Sequence, residues 1–495
     1  MKKITSNGST VGTLMVLVGI FILTPLLVLP WYPQDAQYWW HFTIPGMFSV
    51  VLGMLFCIFH RPVRDDQVHW KSSNGRTSLT VLFAWGWGVL IGAAPFYIGG
   101  QLTLVQSLFE AVSGWTTTGL STVDVSVTPQ IYLFHRSFMQ YCGGLGFIMV
   151  MIMFISSKHA MSLYSAEGHP DRIMPNIKRT AQAIFILYNL FLVVGTVAYR
   201  IAGMTWFDGI CHAMCSLSTG GFSTKLNSIG EYQSLSIEII TIVLMIIGTT
   251  NFAALMLLAK GKVRSFCKVS EVRFMTLLLL IVIPPAAISL SRHLGVGFFQ
   301  GLRTASFDII SALSTTGYCT MSYTEWPQFA VGILIMVMLI GGGIGSTAGG
   351  IKLSRVYLML RTAMRNVQRR LTPHRTVDAP VYYKASGKEP ITSDVTEEIS
   401  AFVTCYLMIF FVGSLLITVT ADCTLTEAMF DFASSMGTVG LSIGITGPAT
   451  DNGTLIIEMV GMFMGRLELF IVLVGITYGC GLLKDKASRL GRRAG

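Results

Sequence analysis

The sequence predicts an all-α integral membrane protein: four tandem helix–pore loop–helix repeats in pseudo-fourfold array, preceded by an N-terminal two-helix hairpin. Three observations predict it. Hydrophobic residues fill 52% of the 495 positions and charged residues 12%, a balance that excludes an ordinary soluble domain. The pattern Thr-x-Gly recurs as Thr117-Thr118-Gly119, Thr219-Gly220-Gly221, Thr315-Thr316-Gly317 and Thr438-Val439-Gly440, its glycines 102, 96 and 123 residues apart. That spacing is far longer than a solenoid repeat, so each unit is a module of its own. Finally, Lys and Arg gather in alternate loops of the span count.

Windows of about 19 residues place an N-terminal pair of spans near 11–31 and 43–60. Eight more follow near 78–99, 131–156, 179–203, 235–259, 273–291, 328–350, 399–420 and 454–482. The chain then divides into the hairpin, 1–70, and four repeats, 71–177, 178–271, 272–396 and 397–495. The third carries a glycine-rich loop and a basic cytoplasmic segment, the fourth the cytoplasmic C-terminus. The first apolar run is at the long end for a signal peptide and no small-x-small cleavage site follows, so it reads as a retained anchor. Basic clusters at 61–76 (Arg61, Arg64, Lys71, Arg76), 158–179, 260–273, 352–388 and after Lys484 place those loops and both termini in the cytoplasm. The Thr-x-Gly loops then face the other side. The net charge of +10 follows from this bias and needs no nucleic-acid partner.

Irregular backbone at membrane depth is tolerated where it is buried in protein or lines a water-filled path. Four glycine-bearing loops in a ring suit the second case, because their carbonyls can replace the hydration shell of a monovalent cation. Threonine adds a hydroxyl acceptor at the inner end. Close helix packing explains Gly143, Gly144 and Gly146 well, but it requires no threonine two residues before a glycine. Each loop glycine also has a small residue six positions earlier (Ser113, Cys215, Ser311, Ser434) and another two positions later (Ser121, Ser223, Cys319, Ser442). Nine positions earlier stand Glu110, His212, Asp308 and Asp431. A pore helix of about ten residues starting there would set the acids at its positive N-terminus, as rim residues and not ion ligands.

The run Gly341-Gly342-Gly343-Ile344-Gly345-Ser346-Thr347-Ala348-Gly349-Gly350 breaks the second helix of repeat 3, since each glycine costs about 1 kcal/mol relative to alanine. Gly343-x-Gly345-x-x-Ala348 loosely matches a dinucleotide loop, but no βαβ unit surrounds it. Ile351 and Leu353 around Lys352 exclude a Walker loop. Arg466 lies mid-way along an apolar stretch, where a charge normally faces a cavity or a partner, and Glu468 sits on a different helix face. Arg136, nearer the outer end of its helix, reads as interfacial. Arg361, Arg365, Arg369 and Arg370 give the polar segment 355–398 a basic helical face, suited either to anionic lipid or to a docked regulator. Cys211, His212 and Cys215 lack a fourth zinc ligand. An enzyme would need a clustered nucleophile, base or metal set, and the nine histidines are dispersed. An alternating-access symporter coupled to sodium or protons would need ionisable residues near the midplane, which apart from Arg466 look scarce.

The loops Ser-Gly-Trp-Thr-Thr-Thr-Gly (113–119), Ser-Thr-Gly-Gly-Phe-Ser-Thr (218–224) and Ser-Thr-Thr-Gly-Tyr (314–318), with Gly-Ser-Thr-Ala-Gly-Gly-Ile-Lys (345–352), resemble the Trk/Ktr/HKT superfamily of potassium transporters. The two extra N-terminal spans look most like its TrkH/TrkG branch. The resemblance implies potassium uptake across a bacterial inner membrane, with potassium at the filter residues and no organic cofactor. It also implies a homodimer with one pore per subunit and a cytosolic nucleotide-binding ring of the TrkA type. The loop 341–350 would close the pore below the filter, with Arg466 projecting there as a cationic barrier. Glycine at 119, where sodium-transporting forms carry serine, implies potassium. One glycine per loop implies weaker selectivity than in tetrameric potassium channels. The fourth loop, Met436 to Gly440, departs from the expected Asn-rich pattern.

Overall fold

Long apolar runs bounded by polar turns become helices, and the helices here keep apolar side chains on outward faces where a soluble protein would bury them. The computed structural model of the chain describes residues 8–59, 71–146, 177–371 and 381–494. Two helices, Gly8–Leu23 and Trp39–Phe59, form the N-terminal hairpin. Glycines let their backbones touch: a Cβ on Gly12 would fall 2.6 Å from the Gly53 carbonyl, and one on Gly19 the same distance from that of Gly46.

Each repeat opens with a long helix: Lys71–Ile98, Ile177–Ile201, Ser270–Leu294 and Ser393–Thr420. With the hairpin, these account for the six described helices long and apolar enough to cross a membrane unaided. Ile186, Leu190, Val193 and Val194 on the second of them, and Met408, Phe411, Val412 and Leu415 on the fourth, lie exposed as a lipid-facing surface would require. A short helix follows in each repeat, Leu104–Trp115, Trp206–Leu217, Phe298–Leu313 and Leu425–Gly437. After the Thr-x-Gly loop comes a second helix, Gln130–Leu145, Leu235–Thr249, Gln328–Leu339 and Asn452–Arg466.

These second helices correct the sequence reading, which broke only the third. The span expected over 235–259 bends by 113° between Thr249 and Phe252, and that over 454–482 by 107° between Arg466 and Leu469. Asn251 starts the new segment as an N-cap, its Oδ1 accepting from the Ala253 amide at 2.7 Å. Glu468 takes φ +60° at the other break. The helix expected over 328–350 stops at Leu339, and that over 131–156 ends at Leu145 before Gly146 at φ +90°, the rest lying outside the described residues. Hydropathy averages side chains and is blind to such backbone breaks. Most of the basic cluster at 61–76, and 158–176 entirely, also lie outside the described residues.

The polar segment after the glycine-rich run forms a helix, Leu353–Leu371, and an antiparallel hairpin of β1, Val381–Lys384, and β2, Gly387–Pro390. The all-helical expectation did not include this hairpin. It is fastened to the first helix of repeat 3 by the Tyr383 amide, which donates to Ser270 Oγ at 2.9 Å.

Candidate ion pathway

Threonine caps three of the four short helices: Thr103, Thr205 and Thr424 accept from the amides of Gln106, Asp208 and Glu427. The helices run 12, 12, 16 and 13 residues, so Glu110, His212, Asp308 and Asp431 fall in their interiors and not at their starts. The expected rim position is therefore wrong. All four side chains are fully buried and hold the chain as it leaves the loop. Glu110 accepts from Ser121 Oγ at 3.1 Å and the Thr122 amide at 3.2 Å. His212 Nε2 meets Ser223 Oγ at 3.0 Å while its Nδ1 meets the Asp208 carbonyl at 2.8 Å, so both ring nitrogens are engaged. Asp308 accepts from Thr320 Oγ at 2.6 Å and Tyr323 Oη at 2.7 Å; Asp431 accepts from Ser442 Oγ at 2.7 Å and the Ile443 amide at 2.8 Å. The small residue six positions before each glycine fixes the loop from the other side. Its carbonyl accepts from the middle residue of every Thr-x-Gly at 2.8–2.9 Å, and Ser113 and Ser434 also accept through Oγ from the Gly119 and Gly440 amides at 3.0 Å.

The loops share one unusual backbone. Thr117, Thr219, Thr315 and Thr438 have φ of +56°, +53°, +56° and +51°, and Gly119, Gly221, Gly317 and Gly440 have φ of +98°, +76°, +83° and +95°. The residue between them keeps negative φ in each case. Alternating the sign of φ turns successive carbonyls to one side of the strand, where an ordinary extended strand would alternate them. The four loops close into a ring. A Cβ on Gly119 would overlap the Gly220 carbonyl, on Gly221 that of Thr316, on Gly317 that of Val439, and on Gly440 that of Thr118. Only glycine allows this approach, and such a carbonyl ring suits a monovalent cation stripped of water.

The glycine-rich run lies against the threonine end of this ring. The Gly349 amide donates to Thr315 Oγ1 at 3.1 Å, Thr347 Oγ1 lies 3.1 Å from Thr219 Oγ1, and a Cβ on Gly349 would overlap Thr438 Oγ1. The run is folded back on itself, the Gly341 amide donating to the Ile351 carbonyl at 2.8 Å and the Ile351 amide to that of Leu339 at 3.0 Å. It is pinned to the break in repeat 2, with the Gly343 amide donating to the Thr249 carbonyl at 2.9 Å and that of Thr347 to Gly248 at 3.2 Å. Ser346 Oγ closes its turn onto the Gly343 carbonyl at 2.7 Å, and a Cβ on Gly342 would overlap Thr249 Oγ1. Gly345 and Gly350 take φ of +69° and +64°. Arg466 is the last residue of its helix, at the break and not mid-helix as its apolar neighbours suggested. Its guanidinium bridges two carbonyls, Thr347 in the run and, at 2.6 Å, Gly143 near the end of the second helix of repeat 1. Glu468 is taken by Arg355 at 2.7 Å.

Sequence reasoning missed several buried groups. Arg136 is not interfacial: it is buried, 2.5 Å from Glu110, donates to Ser121 Oγ at 2.8 Å and stacks over Phe222 at 4.1 Å. Glu458 is fully buried beside Asp431, and half-buried Glu271 accepts from the Ile344 amide at 3.0 Å. Burial of these groups was not legible, because partners 26 residues apart, such as Glu110 and Arg136, are invisible to a window. Among the described residues no group of three or more His, Cys, Asp or Glu is placed to hold a metal ion.

Known proteins share this plan. The family profile described as "Cation transport protein", TrkH, matches residues 87–477. The Trk system potassium uptake protein TrkH of Halomonas elongata is 27% identical, with 94% of this chain and 97% of the relative aligned. That of Vibrio parahaemolyticus is 30% identical over 94% of this chain and 97% of its own length. The crystal structure of the potassium transporter TrkH from Vibrio parahaemolyticus superposes with a TM-score of 0.82 at 26% identity, covering 94% of this chain and 98% of that one. With the profile spanning most of its length and the same repeated architecture throughout, this chain belongs to the TrkH family of cation transport proteins, a transporter family and not an enzyme family.

Proposed function

We propose that this chain takes up potassium through a channel-like pore whose selectivity filter is Thr117–Gly119, Thr219–Gly221, Thr315–Gly317 and Thr438–Gly440. The observation that carries the reading is the closed ring of four loops, each glycine seated against the next loop's carbonyl. Relatives named as potassium uptake proteins of the Trk system support the choice of ion. The gate is the run Gly341–Gly350 with Arg466. The run occupies the threonine end of the ring, and Arg466 both ties it to repeat 1 and sets a positive charge beside the cation path.

The same reading places the protein in a bacterial inner membrane with both termini cytoplasmic, as a homodimer regulated by a cytosolic nucleotide-binding ring of the TrkA type. The helix Leu353–Leu371 is the docking element for that ring. It presents Arg361, Arg369 and Arg370 beside exposed Leu360, Met364, Val367 and Leu371. It also continues directly from the gate, the Leu353 amide donating to the Gly342 carbonyl at 3.0 Å, so a pull on the helix reaches the run.

Purified protein in liposomes tests the proposal under potassium and then sodium gradients, with wild type and a variant lacking Gly345 to Gly349 measured side by side. The expected result is potassium flux, larger in the shortened variant and exceeding sodium flux. Absence of potassium flux from both well-folded proteins would refute it.

A further inference from the structure

Repeats 1 and 4 treat their buried acids differently. In repeat 1 the second helix supplies a cation, Arg136, to Glu110. In repeat 4 the corresponding stretch supplies a second carboxyl, Glu458, on the helix Asn452–Arg466. Asp431 and Glu458 share one hydroxyl: Thr446 Oγ1 lies 3.1 Å from Asp431 Oδ2 and 2.7 Å from Glu458 Oε1. Threonine has a single hydroxyl hydrogen, so it donates fully to one of them only. Asp431 is well supplied with donors, from Ser442 Oγ at 2.7 Å, the Ile443 amide at 2.8 Å and the Thr446 amide at 3.1 Å. Glu458 has no other partner among the described residues, and its Oε2 is fully buried without one.

We propose that Glu458 is a proton-binding site: a neutral carboxylic acid whose O–H donates to Thr446 Oγ1, while Thr446 donates in turn to an ionised Asp431. The added proton supplies the hydrogen that the geometry lacks and spares a second unpaired charge in a buried, apolar place. The surroundings offer no other compensation. The helix bearing Glu458 packs on Leu425–Gly437, Leu104–Trp115, Ser393–Thr420 and the helix after the break. The first contributes Asp431 and Glu427, the latter held in its own capping box; the second contributes Glu110, already paired with Arg136. The third carries Asp394, Glu397 and Glu398 at its far end, and the fourth has no cation before Lys484. On its own helix the cation is Arg466, two turns away and bound to two carbonyls.

The proton steadies the chain that leaves the fourth loop, since Asp431 holds Ser442 to Thr446. It is bound on the acid side and lost as pH rises, when a second negative charge would face Asp431 and loosen that segment. On the pore reading above, cation flux then changes on the alkaline side. The test needs no flux. Infrared spectra of the full chain in lipid, with glutamate carrying carbon-13 in its carboxyl group, report protonated carboxyls by their C=O stretch. The expected result at neutral pH is one protonated glutamate band that shifts with the label and is lost in Glu458→Gln, whose amide replaces the donor and keeps the fold. A matching readout is thermal stability, falling with rising pH in wild type and flat in Glu458→Gln. A wild-type spectrum with no label-sensitive protonated band overturns the proposal whether or not the variant folds, as does a band that persists in Glu458→Gln. A carboxylate band that instead responds to added potassium would mean a bound cation and overturns it equally.

Discussion

Replacing Arg466 by alanine should raise cation flux, and the structure sets the size. The guanidinium makes two charge-assisted hydrogen bonds, to the carbonyls of Thr347 in the glycine-rich run and Gly143 in repeat 1. Bonds to charged groups contribute about 1.5–3 kcal/mol each. Water replaces part of that when the run swings away, so a net loss of about 2 kcal/mol from the closed state is a fair figure, equivalent to about a 30-fold rise in the open fraction. Arg466→Lys separates two causes. A lysine keeps the charge beneath the ring but, as a compact ammonium without the planar fork, reaches one carbonyl well and not both. If the charge alone restricts flux, lysine matches arginine; if the bridge does, lysine falls between arginine and alanine. The bridge predicts the intermediate value. Potassium flux in liposomes, read against thermal unfolding of the same samples, is the assay. An alanine variant that is stable and well incorporated yet conducts no more than wild type refutes the role of Arg466 in closure.

Gly119→Ser should lower the ratio of potassium to sodium flux, because φ +98° disfavours a side chain and the new Cβ would displace the Gly220 carbonyl, and an unchanged ratio would remove Gly119 from the filter. Removing Gly345 to Gly349 should raise basal flux by freeing Thr219 and Thr315 from the run; shortened protein that folds and conducts no better than wild type would show that closure lies elsewhere. Ser434→Ala should lower stability by about 1 kcal/mol, leaving the half-buried Gly440 amide without its side-chain acceptor, and reduce selectivity with it. Thermal unfolding and flux ratios both equal to wild type would show that the serine six positions before the glycine is ornamental.

What the sequence made legible was whatever a fixed offset encodes. Thr-x-Gly and the small residue six positions before its glycine are demanded by one local geometry and recur where that geometry recurs, while the glycine-rich run announces its own break. The breaks at Thr250 and Leu467 were hidden because apolar residues flank them on both sides, and hydropathy reads the flanks. Burial of Arg136 was hidden because its partner, Glu110, lies on another helix, and a charge looks interfacial until that partner is in view. Glu458 escaped notice for the same reason, its neighbour Asp431 standing one helix away. The β-hairpin left a signal in Val381-Tyr382-Tyr383 before Gly387, but four-residue strands next to a basic helix are easily read as loop.

The four left-handed threonines remain the feature with the clearest cost. A β-branched residue at positive φ is a steric outlier, and such backbone costs about 1–3 kcal/mol per site unless the surroundings over-determine it. Here they do: the preceding short helix, the small residue six positions before the glycine and the acid or histidine nine before it grip each loop from both ends. On the proposed reading, the conformation faces carbonyls toward the ion and leaves the threonine hydroxyls at the inner mouth, where the gate meets them. The glycine-rich run engages two of those four hydroxyls directly, on Thr219 and Thr315, while Thr117 and Thr438 Oγ1 are buried with no hydrogen-bond partner among the described residues. On the same reading, closure acts in two ways. The run would fill the path and would also take ligands that an entering cation needs, so the inner mouth would bind cations poorly even where a gap is left. A variant that keeps the bulk of the run but loses the Thr347 hydroxyl, Thr347→Val, separates these effects. It keeps the bulk of the plug while releasing the run's contact with Thr219, together with the Thr347 hydroxyl's bonds to the Leu217 and Gly248 carbonyls, and a smaller rise in potassium flux than that from removing Gly345 to Gly349 is the expected result. Equal rises in the two would mean that the hydroxyl contacts, and not the obstruction, hold the pore shut; no rise in Thr347→Val would leave obstruction as the whole of the gate.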